Sequence, residues 1–218
     1  MPIYRRSILL LFLLLAGLLA GCSDEAVPPL TPDPDDEFSS PERLVQHFQI
    51  VYETMDPEAF ALLLHAQYSM PLQLAVAAEY PDLGPALERD EVLRIHDRLF
   101  SHQTLTDPDQ QPVPAAQSIA VQSLQRLGAW TEAAPGEAYP GTIRAGYGVV
   151  MLMDRGTSES VFRVQGTLEF HLAMRDTSVN GITRTYYKLR ALTDLTQDAK
   201  ADKGVENVSF GRLLGFWR

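Results

Sequence analysis

A single change of period along the chain predicts an α+β fold, with N-terminal helices packed on a curved antiparallel sheet. Between residues 41 and 100 the apolar side chains recur at helical spacing. From residue 118 onward they alternate at every second position, the mark of half-buried strands. Helices first and then a meander of long strands is the order expected when helices cover one face of a sheet.

The first helix is announced by its punctuation. Ser39 and Ser40 offer N-caps, Pro41 suits the first turn, and Glu42 follows Ser39 by three positions as in a capping box. Leu44, Val45, Phe48, Val51, Tyr52 and Met55 then form one apolar stripe. Asp56-Pro57-Glu58 repeats the start signal, and Phe60, Leu62, Leu63 and Leu64 predict a second, short helix. His65 to Leu74 reads as a turn followed by extended or irregular chain. A third helix is predicted from Arg89 to Phe100 through Val92, Leu93, Ile95 and Leu99, and residues 104–116 read as a loop.

The strand half is clearest at Val161–Arg175. Phe162, Val164, Gly166, Leu168, Phe170, Leu172 and Met174 fall on one face; Arg163, Gln165, Thr167, Glu169 and His171 fall on the other. Thr142–Met153 precedes it across Asp154-Arg155-Gly156-Thr157, and Ile182–Asp194 follows across a loop ending Asn180-Gly181. On Ile182–Asp194, Tyr187, Leu189 and Ala191 share one face, against Arg184, Lys188 and Arg190. Ser118–Leu127 predicts a fourth strand, and Phe210–Trp217 a short closing one.

The amino terminus carries a different message. Arg5 and Arg6 precede an apolar run, Ser7 to Leu19, shorter than the roughly 20 residues that a spanning helix needs. Leu19-Ala20-Gly21-Cys22 follows, and Cys22 is the only cysteine. This stretch resembles the lipobox of bacterial lipoprotein precursors. The resemblance implies a signal peptide over residues 1–21, lipidation of Cys22 (thioether-linked lipid, with palmitate-type acyl chains) and a membrane partner reached through those chains. Ser23, not Asp, follows the cysteine, which in the sorting rule of such lipoproteins implies the outer membrane of the cell envelope. Residues 22–40 then form a lipidated Cys and an acidic, Pro-rich tether: 23–40 hold six acids, four prolines and no base. Stretched in polyproline geometry, such a segment reaches roughly 55 Å at about 3.1 Å per residue.

Removing residues 1–21 takes the formal charge from −10 to −12, and the domain at 41–218 keeps −6. An acidic surface repels nucleic acid and anionic headgroups, so no nucleic-acid partner is expected. With no cysteine after position 22, the domain has no disulfide and must rest on its core.

Over residues 41–195 the chain resembles the NTF2-like superfamily, the α+β cone. Element order carries the likeness, with two local patterns: the aromatic first helix running into Asp56-Pro57-Glu58-Ala59-Phe60, and Tyr187-Lys188-Leu189-Arg190-Ala191 in the last long strand. Glu88-Arg89-Asp90-Glu91 through Arg98-Leu99-Phe100 resembles helices of envelope lipoproteins of this type. The proline-bearing connection 101–141 exceeds the family's usual linker. A lipocalin-like barrel and a plain sheet-and-helix sandwich are the alternatives.

Members of this superfamily include isomerases, dehydratases, ligand binders and interaction modules, so the site must decide. The enzymes place an Asp, or an Asp/His pair, in an apolar pocket where desolvation tunes the base. The candidate cavity-lining residues here are Tyr52, His65 and Tyr68 from the helical half, with Phe162, Val164, Leu168, Phe170 and Tyr187 from the sheet. No carboxylate interrupts that sheet face. His96 lies at the edge of an apolar helical stripe, as a buried structural histidine would. No H-x-x-x-H and no clustered His/carboxylate set has metal-ligand spacing, so neither metal nor cofactor is expected. The expected function is non-catalytic: a lipid-anchored envelope protein that binds an apolar small molecule or a protein partner. The rival is a cavity enzyme of isomerase or dehydratase type using Tyr52, His65 or Tyr68 as hydrogen-bonding groups.

Overall fold

The computed structural model describes residues 38–218 apart from positions 109, 157, 158, 160, 180, 181 and 203. The segment read as a signal peptide, Cys22 and most of the segment read as a tether lie outside the described residues.

Helix α1 (Pro41–Thr54) starts at Ser40, whose hydroxyl accepts from the Arg43 N–H, and ends at Met55 in a left-handed conformation. The cap is thus Ser40, not the Ser39–Glu42 box. Helix α2 (Pro57–Leu63) begins at Asp56, which accepts from the Ala59 N–H at 2.9 Å. Next come strand β1 (Leu64–Pro71), helix α3 (Leu74–Glu79), a 3-10 turn at Pro81–Leu83 and strand β2 (Ala86–Glu88). Helix α4 (Arg89–Leu99) buries Val92, Ile95, His96 and Leu99. The predicted loop at 104–116 contains a small separate ribbon, β3 (Leu105–Thr106) with β4 (Pro112–Val113). The meander follows as β5 (Ser118–Arg126), β6 (Thr131–Glu132), β7 (Thr142–Asp154), β8 (Val161–Val179) and β9 (Ile182–Asp194). A ribbon of β10 (Ala199–Asp202) and β11 (Val205–Asn207) leads into helix α5 (Phe210–Phe216).

The fold class is α+β, with helices packed on a curved, antiparallel-rich sheet. Strand β8 is its spine, pairing with β7 along one side and with β9 and β11 along the other. Strands β5 and β6 extend the sheet beyond β7. Beyond β9 lies β1, parallel to it and paired in turn with β2. This long-range parallel pairing makes a strand of residues 64–71, which the local sequence left extended or irregular.

Three local readings are corrected. Residues 210–216 form a helix, not a strand: Phe210, Leu213, Leu214 and Trp217 repeat at helical spacing, and the Ser209 side chain caps the Arg212 N–H. Met174 sits near the end of β8 beyond the helical cover and is 46% exposed. On β9 the pairing steps from His171–Ala191 to Leu172–Leu189, so Arg190 is an inserted residue. That bulge separates Ala191 from the face of Leu189 and brings Leu192 opposite Phe170.

Helix α5 is tied to the end of β9 by a short polar lock. The Asp194 carboxylate accepts from the Gly211 N–H at 2.7 Å and the Thr196 N–H at 2.9 Å, while Thr196 Oγ1 accepts from the Phe210 N–H at 2.8 Å. Burial pushes the Asp194 carboxyl above its ordinary range, against these hydrogen bonds. The chain crosses β8 at Gly166, where φ is +144° and an added Cβ would lie 2.8 Å from the Thr196 Cα.

Candidate functional site

The space between the helices and the inner sheet face, where a cone would hold its ligand, is packed with aromatic rings. The Phe48 ring meets Tyr52 at 4.7 Å and Phe170 at 5.2 Å between centroids. Tyr52 also meets Phe60, Phe100 and, from α5, Phe210. His96 stacks on Phe60 at 3.7 Å. All of these side chains are buried.

One polar pair lies inside this packing. His96 Nδ1 is 2.7 Å from the Val92 carbonyl, which can only accept, so Nδ1 carries the proton. Nε2 therefore accepts from the Tyr52 hydroxyl at 2.5 Å. Burial pulls the His96 pKa down to about 3 and pushes the Tyr52 hydroxyl well above its ordinary range. Both shifts favour a neutral pair in which each polar atom is satisfied.

The sequence-derived cavity residues are placed as follows. Tyr52, Tyr68, Phe162, Val164, Leu168 and Phe170 belong to the buried core. Tyr187 is half-buried, packed against that core, and donates its N–H to the Phe38 carbonyl. His65 stands apart on β1, with Nε2 3.2 Å from an Arg175 guanidinium nitrogen. On the outer sheet face, His171 is buried where alternation alone predicts a solvated position, because Tyr139 from the 133–141 stretch covers it at 4.8 Å. Its Nε2 lies 2.9 Å from Glu169, and burial still holds its pKa below the usual histidine value.

A cleft of about 830 Å³ opens at the other end of the core, between the C-terminal end of α5, Tyr80 and the 111–117 stretch. Its floor is aromatic: Phe216 stacks on Phe162 at 4.8 Å, Tyr80 lies 6.4 Å from Phe216, and Trp217 stands perpendicular to Phe162. Two arginines stand over these rings, Arg155 with Cζ 3.5 Å above Phe162 and Arg218 with Cζ 4.5 Å above Tyr80. The close seat of Tyr80 on α5 requires Gly215, because a Cβ there would lie 2.2 Å from the tyrosine ring. Arg98 donates to the Trp217 carbonyl at 2.8 Å and to the Thr106 carbonyl at 3.0 Å, joining α4, α5 and β3 behind the cleft.

The sequence reading singles out Phe216 and Trp217 as part of a closing strand packed on the core, or a partner-binding patch if exposed, but does not bring them together with Tyr80 and Arg155. The helical spacing of Phe210 to Trp217 was the available signal; the approach of Arg155, Tyr80 and Arg218 is purely tertiary. A smaller hollow of about 360 Å³ lies beside α1 and β5, where Arg126 and Trp130 both engage Glu42. Among the described residues no group of three or more His, Cys, Asp or Glu side chains is placed to hold a metal ion. Among them, too, no helix is long and apolar enough to cross a membrane.

No family model and no curated protein matches the sequence. Solved structures do resemble the fold. One is a presumed aromatic-ring hydroxylase from Novosphingobium aromaticivorans, 12% identical over 70% of this chain and 82% of that one, with a TM-score of 0.41. Another is a presumed dehydratase of the NTF2-like family from Streptomyces avermitilis, 14% identical over 73% and 95%, with a TM-score of 0.40. A third is a presumed polyketide cyclase from Pseudomonas putida, 11% identical over 69% and 86%, with a TM-score of 0.36. At these values the likeness concerns the course of the chain and transfers no site residue.

Proposed function

We propose that the protein is a lipid-anchored binding module of the bacterial cell envelope, held to the outer membrane through Cys22. On this reading it takes its ligand at the lateral cleft and not inside the cone. The observation that carries the reading is the aromatic packing around Tyr52 and His96. It occupies the chamber that an isomerase or dehydratase of this shape would use, and it leaves its one internal polar pair neutral and enclosed. A general base needs reach to a substrate proton, which neither Tyr52 at 0% exposure nor His96 at 1% has.

Two experiments test the reading. Cys22→Ser should move the protein from the membrane fraction to the soluble fraction; continued pelleting of the variant overturns the lipid anchor. Native mass spectrometry of the wild-type protein should reveal a co-purifying small molecule or protein, with hydrogen-exchange protection at Tyr80 and residues 210–217. Ligand protection centred on Tyr52 and His96 would instead favour the cavity enzyme.

A further inference from the structure

We propose that the open edge of β9 takes an added strand from a partner protein, and that this strand is acidic on one face. The surface lies apart from the cleft, so the proposal goes beyond the binding reading above and does not depend on lipidation.

The backbone supplies the first argument. Over residues 182–187, β9 pairs with β8 alone, because β1 joins it only from Leu189 onward. The Tyr187 N–H points away from β8, since it is donated to the Phe38 carbonyl at 2.9 Å. Alternate residues of an antiparallel strand turn their backbone groups the same way, so Thr185 and Thr183 present theirs on that open side. The chain entering α1 uses the position at Tyr187; among the described residues nothing pairs with the next two. Such an edge is a template for another extended chain.

The side chains specify which chain. Arg175 on β8 and Lys188 on β9 share the outer face of the sheet beside this edge, and Arg190 follows at the bulge. Lys188 donates to the Leu62 carbonyl, Arg190 to the Gln67 carbonyl, and Arg175 meets His65. Among the described residues none of these three cations has a carboxylate partner. In a domain of formal charge −6, that is a local reversal of sign.

His65 shows the same shortage of acceptors. Its Nδ1 lies 3.1 Å from the Gln67 backbone nitrogen and its Nε2 3.2 Å from an Arg175 nitrogen, and both of those are donors. A neutral imidazole accepts through one nitrogen only, so donors outnumber acceptors here. Carboxylates would restore the balance. On the other side of the edge, Phe38 and Tyr187 are only partly buried. An added strand alternates its side chains between the two faces, so the matching segment alternates carboxylates with apolar residues. A lipid headgroup would answer the charge and leave the backbone edge unused.

The test uses the full-length protein in phosphatidylcholine nanodiscs and a labelled, end-blocked peptide of alternating glutamate and valine, read by fluorescence anisotropy. Binding should be saturable and at least about tenfold tighter than that of the glutamine–valine analogue. It should also protect the Thr183 and Thr185 N–H groups from hydrogen exchange. N-methylation of the peptide nitrogens should weaken binding by about tenfold although every carboxylate remains. Lys188→Gln and Arg175→Gln should each cost about threefold to tenfold for the acidic peptide and leave the glutamine analogue unchanged. No saturable binding overturns the proposal, and so do equal affinity for the glutamine analogue or protection confined to other strands. Undiminished binding of the N-methylated peptide would assign the face to charge alone, as for an anionic bilayer, and overturns strand addition. Neutralising the chain's own acids before Phe38 (Asp35→Asn, Asp36→Asn and Glu37→Gln) should leave the affinity within about twofold. A gain of about tenfold would make the chain's own acidic segment the occupant and overturn the partner.

Discussion

Around Tyr52 and around Trp217 the protein gathers aromatic rings at similar separations, yet the two clusters treat their polar atoms differently. At the centre, the Tyr52 hydroxyl, both His96 nitrogens and the Val92 carbonyl satisfy one another. At the side, two guanidinium groups stand over the rings and an indole N–H has no acceptor among the described residues. The first arrangement is complete in itself and holds the sheet to its helical roof. The second ties its cations to the protein's own carboxylates, Arg218 to Asp82 at 3.0 Å and Arg155 to Glu159 at 3.9 Å. Aromatic density alone therefore does not tell a sealed core from the wall of a cleft.

The contrast can be broken at the centre first. Phe170→Ala removes a ring that packs against both Phe48 and Tyr147, and should cost about 3–5 kcal/mol in urea unfolding. A loss below about 1 kcal/mol would mean that the centre is not tightly filled.

Acid should find the same place. The unfolded chain protonates His96 near its ordinary pKa of 6.5, whereas the folded protein resists until about 3. The stability that this residue contributes is therefore full above pH 6.5 and drains away as the pH falls through that window. The slope reaches about 1.4 kcal/mol per pH unit, so moving from pH 6 to pH 4 should cost about 2–3 kcal/mol. His96→Gln should flatten the dependence; unfolding curves at the two pH values, with parallel behaviour in both proteins, would refute it.

A finer cut removes one oxygen. Tyr52→Phe strands His96 Nε2 without a donor in a dry interior, at a cost of about 1–3 kcal/mol. The smallest effect belongs to the cleft. Arg155→Gln loses one stacking contact and a long ion pair, and should lower stability by less than about 1 kcal/mol. Thermal melts that ranked this variant beside Tyr52→Phe would erase the distinction between the two clusters.

Where local spacing decided the structure, the sequence was legible. The stripe from Leu44 to Tyr52, the caps at Ser40 and Asp56, and the alternation from Phe162 to Leu172 all lead to elements that the fold contains. Legibility ended where a distant segment intervened. Residues 64–71 become a strand because β9 pairs with them in parallel, and His171 is buried because Tyr139 folds over it. The bulge at Arg190 breaks an alternation that the residue pattern on β9 continued without interruption. At Phe210–Trp217 the information was local and overlooked, since spacings of three and four already favour a helix. The cleft was illegible for a different reason: Tyr80, Arg155 and Arg218 converge from three separate stretches of chain.

The lock between Asp194, Thr196 and the first turn of α5 bears on when this protein can mature. Phe210 reaches the Tyr52 ring from far along the chain, so a nascent polypeptide still lacking residues 209–217 has an unplugged interior however much of the sheet has emerged. Residues 209–217 must therefore have been made before the molecule can close, and a product truncated upstream of Ser209 would present the greasy surface that proteases and chaperones recognise.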